Sequence, residues 1–222
     1  CILAVMVSVY LNGSTLTMNN WMYQTMTAEL ARYMGKIYVQ QGGSSYPPFD
    51  STITQATAET ILARTDLGLN PEESTLLIFV RTERGMMPFM PAESMVIGVP
   101  IGKESVLMGN TKATGANRFP DAAGNVAILG KQAADSYKAA LGQDVIINGQ
   151  SLRVIGVLER SSMDSVNISA IVPLAAAQRI FGKEGMVSAV LLTPGDVNRT
   201  SELAKTLQQD YPVLEVTTQD DM

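Results

Sequence analysis

Apolar positions recur along this chain with two periods, about four residues near its start and two through much of the remainder, so the pattern predicts helix and strand in one fold. Residues Cys1–Leu11 (CILAVMVSVYL) are almost wholly apolar. Met18, Met22, Met26 and Leu30 then recur every four residues, with Trp21 and Tyr33 flanking the stripe, which predicts a helix stopping near Gly35. Lys36–Gln41 alternates as a strand does, and Gly42–Asp50 (GGSSYPPFD) is loop chemistry. Ser51 or Thr52 can cap a helix over roughly 52–65, with Ile53, Ala56, Thr60, Ile61 and Ala63 around its inner side. Thr75–Arg81 (TLLIFVR) is an unbroken apolar run, the pattern of a strand buried on both faces.

The second half is read the same way. Val126–Leu129 is a short apolar strand, followed by an alanine-rich helix from about Lys131 to Leu141. Two alternating strands, Asp144–Asn148 and Ser151–Glu159, meet at Asn148-Gly149, the strongest short-range hairpin signal because both turn positions need φ > 0. Ile168–Pro173 reads as a strand leading into a helix that stops at Gly182. Val187–Thr193 is a strand and Pro194-Gly195-Asp196 a turn. Asp196 or Asn198 can cap a helix carrying Leu203 and Leu207, and Val213–Thr217 closes the pattern as a strand. One βαβ unit early and one late suggest a single α/β lobe made from both ends of the chain.

Three pieces of this pattern carry a resemblance. Gly142-Gln143-Asp144-Val145-Ile146, Arg153-Val154-Ile155-Gly156-Val157, and Val172-Pro173-Leu174 through Gln178 to Phe181-Gly182 follow in order over residues 125–182. Together they resemble the extracytoplasmic core domain of MacB/FtsX-type ABC transporter permeases. That resemblance implies an α+β fold: an N-terminal helix (1–34, the outer end of a trimmed transmembrane helix), a porter-like α/β lobe (35–99 and 185–222) and an inserted β-rich lobe (100–184). It implies a non-catalytic part of a dimeric permease in the bacterial inner membrane, facing the periplasm or cell exterior. A cytoplasmic ABC ATPase subunit and a second permease subunit are the implied partners, with a periplasmic protein or lipophilic cargo outside the membrane. The short closure through Asn148-Gly149-Gln150 departs from the long hairpin arm of carrier-recruiting lipoprotein permeases, which puts a carrier-binding hook here in doubt.

Composition narrows the chemistry. The 222 residues carry 16 basic and 21 acidic side chains, net −5, and no Lys/Arg run, so the footprint of a nucleic-acid binder is missing. No histidine is present, which removes the commonest general base and metal ligand. Cys1 is the only cysteine, so no disulfide or thiolate cluster forms within one chain. Gly98-Val99-Pro100-Ile101-Gly102-Lys103-Glu104 and Gly124 to Gly130-Lys131-Gln132 miss the phosphate-loop spacing and lack its hydroxyl. Neither Ser-x-x-Lys nor Gly-x-Ser-x-Gly occurs, and Glu72-Glu73 and Asp220-Asp221 sit beside a turn or terminus, as solvated carboxylates do. No catalytic, cofactor or metal residue is therefore expected. Asn12, Asn167 and Asn198 head glycosylation-like triplets, a pattern common by chance.

The unusual loop is Gly85-Met86-Met87-Pro88-Phe89-Met90-Pro91, four large apolar residues set around two prolines. Met86, Met87, Phe89 and Met90 either plug the base of a lobe or cover a strand edge, or form an adaptable apolar surface for a partner or substrate. Cys1–Leu11 is open to three readings: a core element, the end of a membrane helix too short to span the roughly 20 residues a bilayer needs, or a lipidated cysteine with its linker. The resemblance favours the second; a free-standing secreted or lipid-anchored α/β binding protein is the rival. On either reading the chain is expected not to bind ATP. Calorimetry at about 100 μM, where binding of roughly −5 kcal/mol still registers, tests this, and measurable affinity would overturn it.

Overall fold

The computed structural model describes residues 37–82, 95–120 and 124–218. The helix expected over 1–34 lies outside the described residues, as do Met86, Met87, Phe89 and Met90. Strands β1 (Ile37–Gln41), β3 (Thr75–Arg81), β11 (Ala189–Leu192) and β12 (Leu214–Thr218) lie in the order β12-β1-β11-β3, every neighbour antiparallel. Helix α1 (Gln55–Leu62) connects β1 to β3, and α6 (Thr200–Asp210) connects β11 to β12. Each βαβ unit is thus split by a strand of the other, which is why the two chain ends make one lobe, as the pattern suggested.

The sheet then continues through β4 (Met95–Val99), β9 (Ser169–Pro173), β6 (Val126–Leu129) and β8 (Gln150–Leu158). β4 pairs antiparallel with β3 and parallel with β9 over five residue pairs, Met95↔Ser169 to Val99↔Pro173. β7 (Asp144–Ile147) and β5 (Ala113–Gly115) both pair with β8, at its two ends. The inner strands are buried on both faces, which accounts for their continuous apolar runs. One face packs under α1, α6 and α5 (Leu174–Phe181) through Ala58, Ile61, Leu203, Leu207 and Ala177. The other carries Tyr38, Leu77, Phe79, Met95 and Ile97, joined by Leu107 and Met108 of α2 (Glu104–Met108) and Val166 of α4 (Asp164–Asn167).

Two of the helices read from the pattern differ from it in extent, and a third, α6, is preceded by a 3-10 turn (Val197–Arg199) that Asp196 caps by accepting from Asn198 N (2.9 Å). α1 starts at Gln55, because Ile53 belongs to β2 (Ile53–Thr54), pairing with Val187 of β10 (Met186–Val187). Thr54 is the cap, accepting from Thr57 N, and Ser51 is instead buried, accepting from Gln41 N (2.9 Å) and donating to Ser188 O (2.5 Å). The inner side is therefore Ala58, Ile61 and part of Leu62, while Ala56, Thr60 and Ala63 face solvent. Helix α3 (Lys131–Tyr137) ends before Leu141: Lys138 turns left-handed (φ 52), and Gly142 N and Gln143 O already bond to Val154. The connection must reach β8 in few residues, so the alanine run cannot all be helical.

Arg64, just past α1, ties that helix to the end of α6. Its guanidinium donates to Asp66 (2.6 Å) and Asp210 (2.5 Å), which raises the arginine pKa and holds the Asp66 carboxyl below its ordinary value. On the other side of β3, α5 lies close against β4 because residue 98 has no side chain. A Cβ on Gly98 would overlap Ile78 Cγ2 and sit 2.6 Å from Ala177 Cβ. Gly98→Val is expected to destabilise the fold by about 1–3 kcal/mol through overpacking. Urea unfolding should show a lower midpoint at unchanged slope; an unchanged midpoint would mean that α5 is not held there.

Candidate interaction surface

The three sequence pieces that carried the resemblance are explained by packing. Between Ala127↔Val154 and Ile128↔Gly156 the β6–β8 register shifts by one, so Ile155 is the extra residue of a bulge on β8. Its carbonyl accepts from Ala116 N (2.8 Å), and a Cβ on Gly156 would collide with Ala116 O. The Val-Ile-Gly-Val run is thus the sequence of a bulge against which β5 closes. In the next piece, Pro173 ends β9 and stands before α5. Gln178, nearly buried, donates to Met186 O (2.9 Å) and Gln55 Oε1 (2.8 Å), binding α5 to β10 and α1.

The hairpin piece does more than turn the chain. Asn148 (φ 45) and Gly149 (φ 77) take the left-handed conformations that a two-residue turn requires. Asn148 Nδ2 donates to Ile180 O (2.7 Å), satisfying a carbonyl in the last turn of α5. Val145 and Ile147 point into the helix-side core, so Ile146 between them must face the other way, and it is 62 % exposed. Ile146, Asn148 and Gly149 share a depression of about 580 Å³ with Phe181, Arg81 and Thr82. Arg81, opposite Met95, is the last paired residue of β3. Pattern reading missed Ile146 as a surface residue, although three apolar residues in succession on an alternating strand signal it.

The remaining candidates for chemistry are occupied structurally. Lys103 of the phosphate-loop near miss donates to Pro71 O, and the Glu104 carboxylate accepts from Gly102 N and Phe119 N (3.1 Å each). Glu72 and Glu73 are exposed. Asn167 is buried, bonded to both Ser161 N and Ser161 O (2.8 Å each), so its triplet belongs to the core. Burial pushes the Tyr38 phenol well above its ordinary pKa, helped by the charge of Glu215, and keeps it neutral. Among the described residues no group of three or more His, Cys, Asp or Glu comes together to hold a metal, and no helix is long and apolar enough to cross a membrane. What this surface offers is apolar contact on a rigid frame.

Comparison with known proteins agrees with that frame. The profile of the MacB-like periplasmic core domain matches residues 1–209. No curated protein sequence matches the chain. Among solved structures, the periplasmic region of MacB from Actinobacillus actinomycetemcomitans superposes with a TM-score of 0.61 at 16% identity, covering 85% of this chain and 92% of that one. The extracellular domain of the noncanonic ABC-type transporter YknZ from Gram-positive bacteria gives 0.56 at 17% identity, covering 82% and 99%. Within the surface, Ile146→Ser should leave stability within about 0.5 kcal/mol, as surface changes do. Asn148→Ala should cost about 1–2 kcal/mol, losing the bond to Ile180 and the residue type suited to φ > 0. Chemical denaturation of the two variants checks both; equal effects would mean that Ile146 is core or that the turn does not depend on Asn148.

Proposed function

The chain belongs to the MacB-like periplasmic core domain family, and from that premise we propose that it is the extracytoplasmic part of an ABC transporter permease that carries ATPase-driven motion to a partner or cargo outside the membrane. In this reading cytoplasmic ATPase subunits and a second permease subunit work the membrane part, in the bacterial inner membrane, and this domain takes no chemical step. The observation that carries it is the pairing of Ile37 with Thr218. Residues before β1 and after β12 therefore meet the sheet on adjacent strands, roughly 4.8 Å apart. The strand directions put the end of β3, the 42–50 loop and the turn before Leu214, with exposed Val213, at the opposite end. A body held at one end and presenting apolar residues at the other suits a lever.

The division into lobes at 100 and 184 is part of the same proposal. The two lobes share the β4–β9 pairing, so they would swing together rather than hinge freely. The working surface would be Met86, Met87, Phe89 and Met90, together with the exposed Ile146, making and breaking apolar contacts. Two measurements on the parent permease with its ATPase test this. Replacing the four loop residues by Ser should leave the domain's stability within about 1 kcal/mol. Amide exchange over β1, β12 and 83–94 should then differ between the nucleotide-free and the ATP–vanadate state. A loss of several kcal/mol would make the loop core, and exchange identical in both states would sink the lever.

A further inference from the structure

Asn148 and Gly149 form the turn between β7 and β8, closed by the pairing of Ile147 with Gln150, and both turn residues are exposed. An asparagine directly before a glycine is the pair most prone to lose its side-chain amide. The backbone nitrogen of the glycine, giving its proton to solvent base, attacks the asparagine Cγ and closes a cyclic imide. The Cγ–Nδ2 bond breaks, and Nδ2 takes a proton from solvent and leaves as ammonia. Water then opens the imide at either carbonyl, giving aspartate or isoaspartate, so the net change is hydrolysis of the amide. Glycine favours ring closure because it has no Cβ to hinder it, and at Gly149 even an added Cβ would meet nothing within 4 Å.

In this fold the leaving nitrogen is already engaged. Asn148 Nδ2 donates to Ile180 O (2.7 Å), in the last turn of α5. Ring closure expels that nitrogen and draws Cγ toward Gly149 N, so the bond to Ile180 has to break first. We propose that Asn148 is a modification site, converted spontaneously to aspartate or isoaspartate, and that the end of α5 sets the rate of conversion. The step runs one way. A carboxylate has no donor to return to Ile180 O, and it places negative charge at the helix end that is itself negative. Isoaspartate also adds a carbon to the backbone of a turn whose length fixes the β7–β8 register. The end of α5 then loses its tie to the hairpin, while Gln178 still holds the helix to α1 and β10.

The test follows conversion at Asn148 in the full chain by peptide mapping and mass spectrometry, during incubation at mildly alkaline pH, folded and in urea. Conversion should be at least about tenfold slower in the folded chain, the factor that one net hydrogen bond supplies. Gly182→Ala separates the clasp from the turn itself. Gly182 caps α5 in the left-handed conformation (φ 61), and a Cβ there meets nothing within 4 Å, so alanine strains the last turn of α5 without reaching the hairpin. Folded Gly182→Ala, checked by circular dichroism, should convert several-fold faster than the folded parent chain. Asn148→Asp carries the product's carboxylate from the start and should speed amide exchange over residues 180–183. Equal conversion folded and in urea, no acceleration in folded Gly182→Ala, or unchanged exchange in Asn148→Asp overturns the proposal.

Discussion

The fold turns on how closely α5 can approach β4. β4 is the strand that joins the lobe made from the chain ends to the segment inserted between them, with β3 on one side and β9 on the other. α5 follows β9 directly and must return over β3 and β4, and Gly98 is what leaves room for Ala177 to do so. Once α5 is seated, its last turn receives Asn148 from the β7–β8 hairpin and its Gln178 side chain holds β10 and α1. One missing side chain thus sets the position of elements far apart in sequence.

This dependence explains why recurring sequence features here report architecture and not chemistry. Ile155 and Gly156 form a bulge, Gln178 is a buried tie, and Asn148-Gly149 is both turn and clasp. The charged groups follow the same rule: Arg64 joins two helix ends, and Glu104 is spent on backbone N–H groups. Among the described large apolar residues, Val213 (76 %) and Ile146 (62 %) are the most open.

Edges of the sheet are managed differently at its two sides. β8 is flanked by two short strands, β7 and β5, whereas among the described residues Leu214 O and Val216 N of β12 are taken by the Gln208 amide from the helix that precedes it. The first solution comes from chain path and the second from a single residue.

By itself the sequence determined the strand Thr75–Arg81 and the Asn148-Gly149 turn. Thr75–Arg81 could only be a strand buried on both faces, and Asn148-Gly149 could only close a hairpin, because both follow from side-chain period and local backbone sterics. The family was legible from three such local pieces, and the absence of histidine and of usable cysteine removed most catalytic chemistry before any fold was known. Tertiary structure decided the rest. Ile53 became a strand residue because Val187, 134 positions away, offered it a partner, and α3 stopped at Tyr137 because β8 had to be reached. Met95–Val99 is not read as a strand from the pattern; it is one because β3 and β9 flank it, and Gly98-Val99, the start of the phosphate-loop near miss, closes it. The exposure of Ile146 and the role of Gln208 depend on which side of a strand is already occupied. That is set by partners distant in the chain, and no local period encodes it.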